Sequence, residues 1–504
     1  MDNKIILAIA LSIAVIIGFQ YLLPAPPQVT KSQPAVEKKE DITAPAKSPS
    51  VAETTLVEEK EIKVENELFS AVLTSKGGSV KYWEIKAYKD KFEKDVVLLK
   101  KPGTIPAIGI GTNNNFDLAG VNFNVVGRNI MLDSKNKSGS VVFEYSKDGK
   151  SVRRTYTFYS DTYKFDLTDE VSGLPEYWIT LGSDFGIFEP DDSNAHTGPI
   201  ILSGTDLKEL KPKDLKEANI FKENLKWIAQ EDKYFFSAIV PATPVEEARA
   251  WNYNNSPVVA FKGKPDINKF YIYAGPKERD KLEKLNLGLE HIVNFGFFSI
   301  IAMPLFWVLK LFYSFLGNYG WSIVLLTIVT KIPFIPLVNK GQKSMLKLQK
   351  IQPQMAELRE KHKKDPQKMQ QQMTELYKKN KVNPVGGCLP MLLQIPVFFA
   401  LYKVLLIAIE LRGAPLMLWI TDLSAKDPYY ILPIIMGITM VIQQKMTPST
   451  MDPKQAKLMM FMPVIFTFMF LNFASGLVLY WLTNNILSII QQFYINKKTS
   501  VQSA

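Results

Sequence analysis

Reactive and metal-binding side chains are scarce in this chain of 504 residues. It contains one cysteine, Cys388, and three histidines. An intramolecular disulfide is therefore impossible, and no cluster with the spacing of a metal site can be assembled. The phosphate-loop pattern GxxxxGK[ST] does not occur either. We therefore expect no cofactor, no metal and no nucleotide hydrolysis, and a protein that is not an enzyme.

Long apolar runs are confined to one half of the chain. Residues 57–290 have the composition of a soluble domain, whereas residues 293–495 are dominated by apolar segments. The net charge is +11, and residues 340–383 hold twelve basic and four acidic side chains, a net +8. Because this basic stretch lies between two apolar segments, it favours a membrane-proximal loop over a sequence-specific nucleic-acid site. The sequence predicts a multi-span α-helical membrane protein with a large soluble domain.

The N-terminus carries a further apolar run. Lys4 precedes 19 residues, Ile5–Leu23, which suffice to cross about 30 Å of hydrocarbon. Pro24-Ala25-Pro26-Pro27 is a poor cleavage context, so we interpret residues 1–23 as an uncleaved signal anchor, with a cleaved signal peptide as the alternative. Residues 24–56 are rich in Pro, Ser, Ala, Lys and Glu without periodicity, which is typical of a flexible linker.

Residues 57–290 show the alternation of half-buried strands. Gly77-Gly78 and Asp148-Gly149 each separate two alternating runs, which predicts β-hairpins. One buried and one wet face are typical of a large antiparallel β-sandwich. The run at 206–226 is rich in helix-forming residues and predicts a short helical interruption, after which strands resume at KYFFSAIVP and INKFYIYAGP.

Loop charges orient the apolar segments at about 295–316, 319–338, 386–409, 429–446, 459–474 and 477–495. The positive-inside rule assigns 340–383 to the cytoplasm. With the soluble domain outside, only one of the first two segments can cross. We predict that 291–317 is an amphipathic helix at the outer interface, with a spanning helix as the alternative. Six spans then leave both termini inside, including the basic tail 497–504.

The basic loop itself has helical periodicity. Met345 and Met355 share one apolar face, and Asp365-Pro366 forms a helix start before Met369 and Met373. We predict an antiparallel helical hairpin over 340–383. Methionines suit an adaptable binding surface, so these four are candidates for substrate recruitment. A hairpin that packs on itself is the alternative.

A lysine, Lys331, interrupts the apolar run WSIVLLTIVTKIPFIPL. A charge near the bilayer centre costs roughly 2.5–3.5 kcal/mol, so it is paired, snorkelling or functional. Thr327 lies four residues earlier on the same helical face. Other intramembrane polar residues are candidates to line a common path: Gln394, Gln443, Gln444 and Asn484.

The segments GNYGWSIVLLT, KVNPVGGCLPMLLQIPVFFALYKVL, DPYYILPIIMGITM and FMPVIFTFMFLNFASGLVLYWLTNN strongly resemble the YidC membrane-protein insertases, bacterial relatives of Oxa-type and Albino-type proteins. The resemblance covers about 290–495. It implies a five-helix core over 318–496 around a hydrophilic groove that is open to cytoplasm and lipid. Lys331 stands where many members have arginine. Thr327, Gln444 and Trp481 match groove positions of the family, although tyrosine is frequent at the position of Trp481, and Gln394 remains a groove candidate as an intramembrane polar residue.

The resemblance also implies a function. Such a protein inserts nascent inner-membrane proteins and helps them fold, alone or with the Sec translocon, and it receives chains from the ribosome. Residues 24–317 would be periplasmic. Two alternatives from other classes remain: a secondary transporter of a small anion, for which no inverted repeat is evident, and a membrane-anchored assembly scaffold whose sandwich does the work.

Overall fold

The computed structural model describes residues 58–501, with the exception of 91, 101–102, 191–194, 364, 381, 383–388 and 448–452. The predicted signal anchor 1–23, the linker 24–56 and Cys388 lie outside the described residues. Two compact units divide the chain between Pro276 and Lys277, upstream of the boundary predicted at residue 290. The first unit is built from strands and the second from helices.

The β unit contains the following strands: β1 Glu61–Glu65, β2 Phe69–Thr74, β3 Ser79–Lys89, β4 Asp95–Leu99, β5 Ile110–Gly111, β6 Asn124–Val126, β7 Ile130–Met131, β8 Ser138–Lys147, β9 Lys150–Tyr159, β10 Lys164–Ser172, β11 Tyr177–Thr180, β12 Gly198–Ser203, β13 Asp206–Glu209, β14 Asn219–Phe221, β15 Leu225–Glu231, β16 Phe235–Pro241, β17 Glu247–Tyr253, β18 Ser256–Gly263 and β19 Ile267–Pro276. They form a nine-stranded sheet, β13-β12-β15-β16-β19-β10-β9-β8-β6, and two five-stranded sheets, β4-β3-β2-β1-β7 and β14-β17-β18-β11-β5. Pairing is antiparallel except between β1 and β7.

Both smaller sheets cover the same face of the nine-stranded sheet. The ring of Trp83 on β3 packs 5.4 Å from that of Phe165 on β10. The Tyr177 hydroxyl on β11 donates a hydrogen bond of 2.5 Å to Asp169, also on β10. Residues 165 and 169 point to one side of a strand because side chains alternate with a period of two. The β unit is therefore a sandwich, as the alternation predicted.

The turn chemistry behaves as predicted. Gly77 and Gly78 both have positive φ and connect β2 to β3. Asp148 and Gly149, with φ of 54° and 75°, form a two-residue loop between β8 and β9. In the two-residue loop, positive φ at both central positions gives the twist that matches paired strands. Both dipeptides therefore lie in hairpin turns, as their sequences predict.

The helical interruption expected at 206–226 is wrong. This segment forms β13, a single 3₁₀ turn at Pro212–Leu215, and β14. β13 pairs with β12 across a turn at Gly204, whose φ is +60°. Pro212 lacks the N–H that a helix interior needs. Pairing with a buried neighbour therefore outweighs the helix propensity of the lysines, leucines and glutamates, which is worth only tenths of a kcal/mol per residue.

The helical unit contains the following α-helices within the described residues: α1 Arg279–Lys284, α2 Ser299–Leu316, α3 Tyr319–Lys331, α4 Ile335–Lys350, α5 Gln352–Lys361, α6 Pro366–Lys379, α7 Leu389–Ile407, α8 Ile431–Met446, α9 Pro453–Phe470 and α10 Ser475–Val501. Two stretches, Gly296–Leu316 and Tyr319–Lys350, are long and apolar enough to cross a membrane. The second contains a 3₁₀ turn at Ile332–Phe334, where Pro333 cannot supply a helical N–H. That irregular turn directly follows Lys331.

The polar loop folds as a helical hairpin in which α5 packs against α6. Asp365 caps α6 by accepting a hydrogen bond from the Lys368 amide, as its sequence predicts. The first arm is not continuous, because α4 ends at Lys350 and α5 restarts with Pro353 in its first turn. This break was not anticipated from the apolar spacing.

Candidate functional site

Lys331 lies at the end of α3 with its side chain largely enclosed. Its residue is 8% exposed. The Nζ ammonium donates one hydrogen bond to the main-chain oxygen of Asn484 at 2.7 Å and one to Oγ of Ser488 at 2.6 Å, both on α10. Within the described part of the chain, no carboxylate forms an ion pair with this ammonium. Both partner oxygens are neutral.

Asn484 brings a second predicted residue to the same place. Its side-chain Oδ1 accepts a hydrogen bond of 3.2 Å from Nε2 of Gln394 on α7. The main chain of Asn484 therefore binds Lys331 while its side chain binds Gln394. Three helices, α3, α7 and α10, meet at this asparagine, and each contributes a residue that the sequence had singled out as a groove candidate.

The polar contacts continue along α10 beyond the predicted residues. Gln491 Nε2 donates to Oδ1 of Asn339 on α4 at 2.8 Å. Gln342 Nε2, one turn further along α4, donates to Oε1 of Gln492 at 2.5 Å. Lys331, Asn339 and Gln342 therefore contact successively later residues of α10. This order shows that α3 and α4 run parallel to α10.

Sequence reasoning singled out Asn484 but missed Ser488 and Gln491 on the same helix, although a signal for them exists. Residues 484, 488 and 491 are spaced by four and three, the interval that aligns side chains on one helical face. Individually, a serine or glutamine near a helix end carries little information. The spacing indicates a polar contact face only when Lys331 on α3 is considered together with it.

The remaining candidates occupy different surroundings. Thr327 is 2% exposed, and its hydroxyl donates to the Ile323 carbonyl of its own helix at 2.7 Å. The Trp481 ring packs edge-on against Phe398 and Phe470, each with a centroid distance of 4.9 Å. Trp481 precedes Asn484 by three residues, so it lies on the same face of α10. Gln444 is half-buried near the end of α8.

Most of the methionine candidates lie inside the hairpin. Leu348, Ile351, Met355 and Val382 form a buried cluster, against which Met345 and Met373 pack. Met355 is only 4% exposed. Met369 is half-buried outside this cluster. The contacts of Met345, Met355 and Met373 are those of the self-packed hairpin that the sequence left open as the alternative.

Both the β unit and the helical unit match models of known protein families. The family model described as "YidC periplasmic domain" matches residues 61–308. The model described as "60Kd inner membrane protein" matches residues 311–502. A curated relative from Geotalea daltonii, named membrane protein insertase YidC, is 40% identical over 99% of both chains. The chain belongs to the YidC membrane protein insertase family.

Further relatives in the YidC family agree in length. The protein of the same name from Syntrophus aciditrophicus is 40% identical over 99% of this chain and all of its own. That from Geobacter sulfurreducens is 39% identical over the full length of both. A β-rich domain of the periplasmic type followed by a helical membrane region is therefore the architecture of this YidC family member.

Proposed function

We propose that this chain inserts nascent inner-membrane proteins through a hydrophilic groove between α3, α7 and α10, with Lys331 as its charged contact. One observation carries the proposal: a largely enclosed ammonium whose described partners are the neutral oxygens of Asn484 and Ser488. An enclosed cation without a counter-ion attracts carboxylates more strongly than one in water. An acidic segment of an incoming chain supplies that carboxylate.

The protein has to lower only one part of the free-energy cost of insertion, that of the polar segments. Polar segments of the cargo are costly in hydrocarbon because their backbone and charged groups lose water. A groove lined by Lys331, Gln394 and Asn484 lowers that cost while a segment is partway across. The apolar helix of the cargo then enters lipid, and burial of its apolar surface supplies the net free energy without nucleotide hydrolysis.

The direction of the helices supports the predicted topology. α3 and α4 run parallel to α10, as they must if each runs from outside to inside. The Gln394–Asn484 and Phe398–Trp481 pairs advance in opposite directions along the two helices, so α7 runs antiparallel to α10. With 340–383 in the cytoplasm, both termini are cytoplasmic and residues 24–317 are periplasmic.

The contacts at the end of α2 support its placement on the outer side. Phe298, just before α2, stacks on Phe399 of α7 with a centroid distance of 5.8 Å. At the other end, Tyr313 lines one cavity with Tyr319 at the start of α3 and with Glu410 and Ala414 after α7. In the proposed topology α3 begins and α7 ends on the periplasmic side, so the end of α2 lies on that side.

The remaining partners follow from the same proposal. The proposed topology assigns the hairpin 340–383 and the basic tail 497–504 to the cytoplasm, and their charge suits a contact with ribosomal RNA phosphates. Met369 is the methionine best placed to touch cargo, because the other three pack within the hairpin. The proposal includes a second route, in which the protein works with the Sec translocon on larger cargo.

The decisive experiment measures insertion into liposomes that contain the purified full-length chain. The cargo is a single-span protein whose translocated tail carries one aspartate, and a matched cargo carries asparagine there. Lys331→Gln should slow insertion of the aspartate cargo, Lys331→Glu should slow it further, and Lys331→Arg should retain it, because the charge acts on the carboxylate.

Equal insertion of the aspartate cargo by wild type, Lys331→Gln and Lys331→Glu would contradict the groove-charge mechanism. The same liposomes, loaded with a small anion, test the transporter alternative. Release of the anion that depends on Lys331, without insertion of either cargo, would favour that alternative. Folding of each variant is checked by its protease-resistant fragments.

A further inference from the structure

Ser488 on α10 connects the Lys331 ammonium to the main chain of α10. Its Oγ accepts a hydrogen bond from the Lys331 ammonium at 2.6 Å and donates one to the Asn484 carbonyl at 2.8 Å. That carbonyl is the second acceptor of the ammonium, at 2.7 Å. The three groups form a closed triangle of hydrogen bonds in which every distance is short.

We propose that Ser488 is a positioning residue, which holds the Lys331 ammonium against α10 so that a single N–H remains for one carboxylate oxygen of the cargo. The proposal rests on the proposed insertase function. An ammonium has three N–H donors. Two of them point to α10, so the third defines the direction from which a carboxylate is received.

The flexibility of lysine makes such an anchor necessary. Its four-carbon stem has many rotamers, and near the membrane interface it tends to lift its charge toward water. Attachment to Asn484 and Ser488 keeps the charge at one depth along α10. An arginine presents a planar fork with five donors, which is already oriented for a carboxylate. Lysine at position 331 therefore relies on a neighbour for the orientation that a guanidinium has intrinsically.

The chain offers a close control for the hydroxyl of Ser488. Thr483, also on α10, donates through Oγ1 to the Leu479 carbonyl four residues earlier at 2.8 Å. Ser488 makes the same type of contact to Asn484, with Lys331 in addition. Ser488→Ala and Thr483→Val therefore both delete a hydroxyl that bonds to its own helix, but only the first removes a partner of the ammonium.

The experiment measures insertion of the aspartate cargo and its asparagine counterpart by the full-length protein in liposomes. Ser488→Ala should slow the aspartate cargo by about tenfold, as expected for loss of one hydrogen bond to a charged group. It should leave the asparagine cargo unchanged. Ser488→Thr should restore insertion because it keeps the hydroxyl. Thr483→Val should behave like wild type with both cargoes.

A double-mutant cycle distinguishes positioning from a general structural role. In a Lys331→Gln background, Ser488→Ala should have no additional effect, because its influence passes through the ammonium. If Ser488→Ala slows both cargoes equally, or slows them further in that background, the positioning role is overturned.

Failure of the positioning role and failure of the insertase mechanism give different results. If Lys331→Gln slows the aspartate cargo while Ser488→Ala does not, only the positioning role is wrong. If neither variant differs from wild type, the groove-charge mechanism fails, and the role of Ser488 fails with it.

Discussion

Arg154 and Lys331 are both buried cations, and their surroundings differ at the level of single residues. The Arg154 side chain in the β unit is fully buried and forms an ion pair with Asp169, with Nε 2.9 Å from Oδ1. Its Nη1 also donates to the carbonyls of Gly77, Gly78 and Ile108. Lys331 has neutral partners only. A cation satisfied by a carboxylate stabilises a fold, whereas one without a counter-ion remains able to bind a charged ligand.

Replacement of Arg154 should therefore affect stability. Arg154→Met leaves Asp169 buried and without its counter-ion, and should lower the free energy of unfolding of the β unit by about 3–5 kcal/mol. The measurement is a urea titration of the full-length protein, followed by protease cleavage of the β unit.

Arg153 provides the control for this substitution. It is the next residue on β9 but faces outward, with a 53% exposed side chain and a 3.5 Å ion pair to Glu144. Arg153→Ala should change stability by less than about 1 kcal/mol. A similar loss in both variants would show that the strand, rather than the buried pair, determines the effect.

Residues differ in how far their role can be predicted from sequence. Lys331 is conspicuous because a charge interrupts an apolar run. Ser488 is not, because serine is tolerated on many helical faces and its role depends on a partner 157 positions away in the chain. The aromatic neighbours of Trp481 likewise come from α7 and α9, and no local pattern specifies them.

At the scale of elements, local chemistry predicts best where it determines backbone geometry. The Gly77-Gly78 and Asp148-Gly149 turns are confirmed because positive φ is a local requirement. The helix expected at 206–226 is wrong because β13 pairs with β12 and β14 pairs with β17, and both partner strands lie outside the segment itself. Met345, Met355 and Met373 pack in one cluster although the helix breaks after Lys350, and periodicity does not specify what covers an apolar face.

Stability should depend on pH at the junction between α2, α3 and the segment after α7. Glu410 lines a cavity of about 260 Å³ there, together with Tyr313 and Tyr319. Burial raises the pKa of Glu410 from 4.5 to about 7, against a smaller opposing effect of Lys310. The folded state holds this proton more tightly than the unfolded chain. The resulting stability is complete below the unfolded pKa of 4.5 and is lost as the pH rises through 7.

Stability of the helical unit should therefore fall between about pH 5 and about pH 8 in the wild type, and Glu410→Gln should flatten this dependence. The measurement is the thermal midpoint of the detergent-solubilised protein across that pH range. Glu357→Gln on the exposed face of α5 is the control and should leave the slope unchanged. If the thermal midpoint of Glu410→Gln depends on pH as steeply as that of the wild type, other titratable groups cause the dependence.

At the scale of the whole molecule, the division at residues 276 and 277 separates a unit of strands from a unit of helices. Composition alone predicted one strand-rich and one apolar half, since these classes differ in periodicity and charge. The course of each helix past its neighbours was not predictable, because helices of similar hydropathy can pack in many orders. Contacts such as Lys331–Ser488 are what distinguish these orders.

Removal of the β unit tests where insertion takes place. A variant in which a flexible linker replaces residues 58–276 should still insert the aspartate cargo, because the proposed groove lies within residues 277–501. Insertion in liposomes is compared with that of the full-length chain at equal protein density. Loss of insertion by a variant whose helical unit remains folded would favour the assembly-scaffold alternative.

α10 follows, in chain order, every helix that it contacts through Lys331, Gln342 or Gln394. During synthesis those side chains are made before Asn484, Ser488 and Gln492. The acceptors for the ammonium therefore arrive last, and a chain interrupted before α10 has a lysine in the bilayer without its helix-borne partners. The polar path is therefore complete only after α10 has been made, and a chain that lacks α10 lacks the site on which cargo binding would depend.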